Sequence, residues 1–216
     1  MGRILMGTKA SQLLMLFNWM SPTFPIGGFA YSHGFEQAIA GGDVQSVETV
    51  ESWISDLLQS GSAWNDAVLF AQSWHGDVNA LALALAGSAE RYNETTQLGR
   101  NFNIAANVWL GAALTQDDVA YPAAAGQACA QAGIDKTAAL LAFLQGFAAA
   151  QVSVAVRLVP LGQTKGLQVL RNLSPIIEKV AERAANATLN DLGGNCILAE
   201  IAAMKHEILQ PRIFRT

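Results

Sequence analysis

Residues 137–156 read TAALLAFLQGFAAAQVSVAV, a run of twenty residues without a charged side chain between Lys136 and Arg157. An α-helix of this length is about long enough to cross a bilayer. Alanine dominates the run, two glutamines and a serine interrupt it, and aromatic belts are missing at its ends, so transfer into lipid would be only weakly favourable. We therefore expect a central helix that its neighbours bury on nearly all sides.

Helical patterns continue on both sides of this run. Apolar residues recur at helical spacing, and glycine, proline or a capping side chain separates one pattern from the next. The predicted helices cover residues 13–20, 34–40, 46–61, 63–74, 78–86, 88–114, 121–133, 136–156, 174–190 and 197–209. No segment alternates apolar and polar residues for long enough to predict a sheet. We expect an all-α fold, a single compact helical-bundle domain over residues 1–216 with about eight to ten helices.

Two of these boundaries rest on proline. Pro160-Leu161-Gly162 is expected to end the central helix. Ser174-Pro175 is expected to begin the next one, with the hydroxyl at the N-cap and proline at the first helical position, where its missing N–H is not needed.

Composition limits the classes of function. The chain has 216 residues, 51% of them hydrophobic and 14% charged, which is too apolar for disorder and long enough for a substantial core. Its formal charge is −4 and it has no basic run, so nucleic acid is not an expected partner. Cys129 and Cys196 lie far apart, and residues 1–11 lack a secretory pattern. These features suit a reducing cytoplasm.

Residues 21–36, SPTFPIGGFAYSHGFE, form a rigid turn between two helical patterns, which we call the elbow. Proline fixes its own φ, and glycine permits backbone geometry that other residues resist, so the segment holds one shape. Phe24, Phe29, Tyr31 and Phe35 interleave with polar residues, as in surfaces that anchor protein partners. The alternative is a structural elbow whose aromatic rings enter the core.

Catalytic motifs are missing from the sequence. No two of His33, His75 and His206 have the i, i+4 spacing of a helical metal site, and His206-Glu207 lacks a second histidine because position 210 is Gln210. No phosphate-binding loop or nucleophile elbow is present. We expect no enzyme, no tightly bound cofactor and no metal site, with His33 and His206 as weak metal candidates. The alternative for His206 is a structural role, in which a protonated imidazole near the end of the last helix interacts favourably with the helix dipole.

Two further positions indicate partner binding. Arg157 emerges where the uncharged helix meets a loop, and Gln163 adds donors near the same break. The alternative for Arg157 is a helix-end side chain that extends into water. Residues 211–216 follow the last helix, and Arg212, Phe214 and Arg215 alternate charge with bulk, so we expect a mobile tail that becomes ordered on a partner.

The order S-P-x-x-P-x-G-x-F-x-Y-S-x-G-x-E resembles the N-terminal motif of the F-type urease accessory proteins. Further resemblances follow in order: Glu90-Arg91 with Leu98-Gly99-Arg100, then Ala155 to Gln163, then Met204 to Glu207 and Arg212 to Arg215. Where relatives carry a histidine before Tyr121-Pro122, this chain has Ala120. We assign no metal role there.

The resemblance implies an all-helical, cytoplasmic, dimeric factor that makes no membrane contact. It would bind the D-type (also called H-type) scaffold protein, recruit and regulate the G-type GTPase, and promote GTP-dependent nickel insertion into apo-urease. Nickel would pass through the assembled complex without a tight site on this chain. The residues then expected at partner interfaces are Pro25, Gly27, Phe29, Tyr31, Ser32, Gly34, Glu36, Arg157, Gln163, His206, Glu207, Arg212, Phe214 and Arg215.

The alternative function is a small helical nickel-binding carrier. It would use the three histidines with Cys129 and Cys196 as direct ligands. Such separated single ligands rarely make a closed site, because stable binding needs three or four convergent donors.

Overall fold

The computed structural model describes residues 9–111, 114 and 117–216. Within these residues the chain forms ten α-helices and two short 3-10 turns, with no strand. The helices are α1 Ala10–Trp19, α2 Phe35–Ala40, α3 Val47–Ser60, α4 Ser62–Gln72, α5 Asn79–Ala84, α6 Ala89–Leu110, α7 Tyr121–Gln131, α8 Lys136–Leu158, α9 Gly162–Ala185 and α10 Ile197–His206. The predicted all-α class is confirmed. Residues 1–8, on which part of the secretory argument rests, lie outside the described residues.

Helix α8 contains the uncharged run and lies at the centre of the fold. It packs against α9 along much of its length and also contacts α2, α3, α4 and α7. Its length and mean hydropathy of 1.8 would suit a membrane span, yet half of its most apolar window is buried within the protein. Between residues 137 and 156 only Gln145 is exposed. The expected central, enclosed helix is therefore confirmed.

Capping side chains place several helix starts where the sequence predicts them. The Ser46 hydroxyl accepts from the Thr49 N–H at the start of α3, and Ser88 does the same for Arg91 in α6. The Asp135 carboxylate accepts from the Ala138 N–H at the start of α8. These local interactions satisfy N–H groups that the helix itself leaves unpaired.

The predicted helix start at Ser174-Pro175 is wrong. Helix α9 begins twelve residues earlier, at Gly162, and continues through Pro175. Its buried positions Gly166, Val169, Leu173 and Ile177 follow helical spacing and lie on the side that packs against α8 and α3. Pro175 is exposed, and the Ser174 hydroxyl donates to the Leu170 carbonyl at 3.1 Å. Burial of a continuous apolar face thus outweighs the local signal of proline.

Small residues allow the close helix crossings that the alanine-rich segment suggests. Every alanine from Ala123 to Ala125 is buried on α7, which packs against α6 and α4. A Cβ atom on Gly126 would lie 2.0 Å from the Ser73 hydroxyl and 2.4 Å from the Phe70 carbonyl. Only glycine leaves room for α4 at this position.

Candidate partner-binding site

The elbow joins α1 to α2 and is held against α10. Gly27 has φ +84°, a 3-10 turn follows over Gly28–Ala30, and His33 and Gly34 have φ +54° and +75°. A Cβ atom on Gly34 would lie 2.5 Å from the main-chain nitrogen of Ala203. Both the positive φ and the close approach to α10 require glycine here. The elbow therefore uses the backbone freedom of glycine, as the sequence predicts.

Three of the four aromatic side chains of the elbow point inward. Phe24, Tyr31 and Phe35 are buried, whereas Phe29 is 38% exposed. The prediction that the elbow presents its aromatic residues on the surface is therefore wrong for all but Phe29. Ser32, Gly34 and Glu36 are also buried, while Pro25 and Gly27 are exposed. The core provides the larger hydrophobic gain for these rings, so the structural alternative accounts for most of the elbow.

Residues 211–216 pack against the elbow of their own chain. They do not form the mobile tail that the sequence predicts. Phe214 is only 3% exposed, and the Arg215 N–H donates to the Ala30 carbonyl at 2.7 Å. The Ser32 N–H donates to the main-chain oxygen of Thr216 at 2.9 Å, and the Ser32 hydroxyl donates to the same oxygen. Main-chain pairing and burial of one aromatic ring are enough to order a terminal segment.

Glu36 is the anchor of this segment. Its Oε1 accepts from the Ile213 N–H at 2.7 Å, and its Oε2 accepts from the Phe214 N–H at 2.8 Å. The carboxylate is 6% exposed, so these bonds satisfy a charge that water cannot reach. Glu36 therefore supports the site from inside and is not a surface contact.

His206 connects this anchor to α6. Its Nε2 lies 3.0 Å from Glu36 Oε2, and its Nδ1 lies 2.8 Å from Glu90 Oε2. The other oxygen of Glu90 accepts from Arg212 at 2.5 Å. The His206 ring thus lies between the two carboxylates, and the Arg212 guanidinium adds a positive charge beside Glu90. His206 is fully buried, so its interactions are those of a structural link between α2, α6, α10 and the last residues.

Arg157 lies above two aromatic rings at the end of α8. Its guanidinium carbon is 6.0 Å from the centroid of Phe29 and 5.9 Å from that of Phe214. This spacing is at the outer limit of a cation–π interaction. Arg157 is exposed and forms no ion pair within the described part of the chain. The elbow, α8 and the final segment thus meet at one surface.

A second charged cluster lies inside the fold. His33 Nε2 is 2.8 Å from Glu94 Oε1, and Arg91 is 2.7 Å from Glu94 Oε2 and 3.4 Å from Asp66. Burial tends to raise the pKa of Glu94, but the charges of Arg91 and His33 and their hydrogen bonds lower it to about 2. Burial raises the pKa of Asp66, against the opposing effect of Arg91. Burial alone would lower the pKa of Arg91, whereas Glu94 and Asp66 raise it.

This internal cluster borders two cavities. A mostly apolar cavity of about 100 Å³ lies between the elbow and α8, and a smaller polar one of about 50 Å³ lies toward α10. His33, Asp66, Arg91 and Thr95 line both. His33 is held by Glu94 and packs edge-on against Phe147, so it belongs to the interior and not to the surface.

The weak metal candidates do not come together. His33 and His206 belong to different clusters, His75 is exposed, and burial raises the pKa of the Cys129 thiol. Cys196 is half-buried and its thiol donates to the Asp56 carbonyl at 3.2 Å. Across residues 9–111, 114 and 117–216 no group of three His, Cys, Asp or Glu side chains is placed to hold a metal ion.

The remaining predicted contacts have separate environments. Gln163 is exposed in the first turn of α9. Glu207 accepts a hydrogen bond from the Ala89 N–H at 3.0 Å and so ties the end of α10 to the start of α6. Arg212 and Arg215 are exposed.

Sequence reasoning missed Glu90, Arg91, Glu94 and Asp66 as members of these networks. The i, i+3 spacing of Arg91 and Glu94 was a usable signal for an ion pair on one helix face. Nothing local indicates that Glu90 meets His206, because the two residues lie 116 positions apart.

Comparison with known proteins decides the family. The family model described as UreF matches residues 44–174, which is more than half of the chain. The chain belongs to the UreF family. A urease accessory protein UreF of Rhizobium leguminosarum bv. viciae is 45% identical over 214 residues, covering 94% of this chain and 96% of that protein. One of Cereibacter sphaeroides is 46% identical over 208 residues, covering 94% and 98%.

A third relative, from Roseobacter denitrificans, is 41% identical over 221 residues and covers 99% of this chain and 97% of its own length. It too is named urease accessory protein UreF. The resemblance inferred from the motifs is confirmed, and it extends to both ends of the site: the elbow and the final segment. This chain is thus a member of a urease accessory protein family.

Proposed function

We propose that this UreF family member is a non-catalytic adaptor for urease maturation. It would bind a D/H-type scaffold protein and a G-type GTPase, and it would couple GTP hydrolysis to nickel insertion into apo-urease. The observation that carries the proposal is the family membership together with a composite surface, where Phe29 of the elbow and Arg157 at the end of α8 are both exposed.

The chemistry of the described residues favours an adaptor over the nickel carrier. The candidate ligands His33 and His206 are already bonded to carboxylates on separate sites, and Cys129 is buried in the core. A metal site needs convergent donors, which these positions do not supply. In this proposal nickel is cargo that passes through the assembled complex. We also propose that the chain acts as a homodimer in the cytoplasm.

Reconstitution tests this proposal. Apo-urease, the scaffold protein, the GTPase, nickel and GTP are combined with and without the purified chain, and ammonia release from urea is followed. We expect activation only when the chain is present, with no GTP or urea hydrolysis by the chain alone. Equal activation without it would refute the adaptor role. Tight nickel binding by the isolated chain in calorimetry would favour the carrier.

A further inference from the structure

We propose that Phe29, Arg157 and Arg215 form a docking site for an acidic segment of a protein partner, and that the buried Glu36 assembles this site by holding Phe214 beneath Arg157. The proposal rests on the adaptor role for its biological setting. We call the three exposed residues and the Phe214 ring the arginine platform.

Charge is the first argument. The chain has a formal charge of −4, yet Arg157 and Arg215 are both exposed and neither forms an ion pair among the described residues. By contrast, Arg91 and Arg212 are paired with carboxylates. Within the described residues, two arginines without a carboxylate partner are thus tied to the same part of the elbow, Arg157 through the Phe29 ring and Arg215 through the Ala30 carbonyl, which favours an acidic occupant.

Geometry is the second argument. Arg157 lies about equally far from the Phe29 and Phe214 rings, at 6.0 and 5.9 Å. Aromatic faces orient a guanidinium while leaving its N–H groups available for a carboxylate, which accepts two of them side by side. Phe29, 38% exposed, adds an apolar surface next to this cation. The platform suits a segment in which a bulky apolar residue lies between two carboxylates.

The assembly of the platform depends on residues that no partner can touch. Glu36 fixes Ile213 and Phe214 through their N–H groups, and His206 lies against Glu36 at 3.0 Å. Arg215 is fixed through its own N–H to the Ala30 carbonyl, one residue from Phe29. If Glu36 releases this segment, Arg157 loses one of its two rings and Arg215 loses its position. Glu36 is a positioning residue for the platform.

The first test measures binding of a synthetic peptide, acetyl-Glu-Glu-Leu-Glu-Glu-amide, to the purified full-length chain by calorimetry. A peptide with Gln in place of each Glu is the control. We expect binding of the acidic peptide alone, weakened about tenfold or more by Arg157→Glu or Arg215→Glu and by high salt. Arg171→Glu is the matched control, since Arg171 is exposed on α9 and its guanidinium donates to the neighbouring Asn172 side chain.

Equal losses in Arg157→Glu and Arg171→Glu, or no binding of the peptide, would overturn the acidic docking site. A change in the oligomeric mass of the chain with Arg157→Glu, measured by sedimentation, would show a contact between two copies and would also overturn it. Because these measurements use only this chain and a peptide, they remain valid if reconstitution refutes the adaptor role.

The second test addresses assembly. Glu36→Gln keeps the shape of the side chain but removes its charge, and it should both speed hydrogen exchange at the Ile213 and Phe214 amides and weaken peptide binding. Phe214→Leu leaves Glu36 intact and removes only the ring. If Glu36→Gln does not fold, this variant still tests whether the ring beneath Arg157 is needed for peptide binding. Unchanged peptide affinity in a folded Phe214→Leu variant would refute the role of the Phe214 ring.

Discussion

Deletion of residues 212–216 should destabilise the folded chain substantially. The sequence alone suggests a loss below about 1 kcal/mol, because terminal residues beyond the last helix make few core contacts. In the structure Phe214 is 3% exposed, and burial of such a ring contributes about 2 kcal/mol. Its deletion also removes two N–H donors from the buried Glu36 carboxylate.

Hydrogen bonds to a charged group contribute about 1.5 kcal/mol each at the low end of the measured range. Together with the ring, the two bonds bring the expected loss to about 5 kcal/mol. Arg212 is left out of this figure because its side chain is 45% exposed and its ion pair with Glu90 is screened by water. For a chain of this size, that loss corresponds to a fall in Tm of roughly 10 to 20 °C.

The assay is urea unfolding followed by far-UV circular dichroism, with the parent chain and the deletion compared at one pH. Ile213→Ala is the matched control in the same segment, since its side chain is 72% exposed and only its N–H contacts Glu36. We expect the control to change the free energy of unfolding by less than about 0.5 kcal/mol. A deletion variant within about 1 kcal/mol of the parent would refute the anchoring of this segment through Glu36.

Three further predictions concern the stability of the folded chain. Gly34→Ala should lower the free energy of unfolding by at least about 1 kcal/mol in thermal unfolding, because φ is +75° and the new Cβ would meet the Ala203 nitrogen. Gly27→Ala is the control for the effect of φ alone, since Gly27 has φ +84° and open space around it. Glu94 has its folded-state pKa lowered to about 2, so its contribution is present above its unfolded pKa of about 4.3 and is lost as pH falls toward 2. The Tm difference between parent and Glu94→Gln should therefore shrink from pH 6 to pH 2.5, and a constant difference would contradict this. Pro175→Ala should raise stability by about 1 kcal/mol or more, because it restores an N–H inside α9, and an unchanged urea midpoint would count against it.

Local sequence signals were sufficient for most of the fold. The caps at Ser46, Ser88 and Asp135 depend on residues three positions apart, so a linear pattern contains the whole interaction. Pro175 shows the limit of such signals. Ser174-Pro175 has the ordinary features of a helix start, but the buried face of α9 continues on both sides of it, and that burial is visible only in three dimensions.

The candidate site was harder to predict because burial depends on distant residues. A glutamate among aromatic residues has the pattern of a surface contact. Glu36 is buried instead, and Phe214, 178 positions away, returns to donate its N–H to the carboxylate. The same return converts Phe214 from a predicted contact with a partner into part of the core. Without the fold, sequence alone cannot show which acceptor a terminal N–H group will meet.

The structure explains why Arg157 stands out in the sequence. An uncharged helix can lie at the centre of the fold, and its first charged residue must then emerge where the helix reaches the surface. At that point the elbow and the final segment each contribute one ring, so three parts of the chain that are remote in sequence support one guanidinium. The elbow and the end of the chain were both recognisable as motifs, but separately. The contacts join them: Glu36 connects the two from within, and Arg157 lies where they meet.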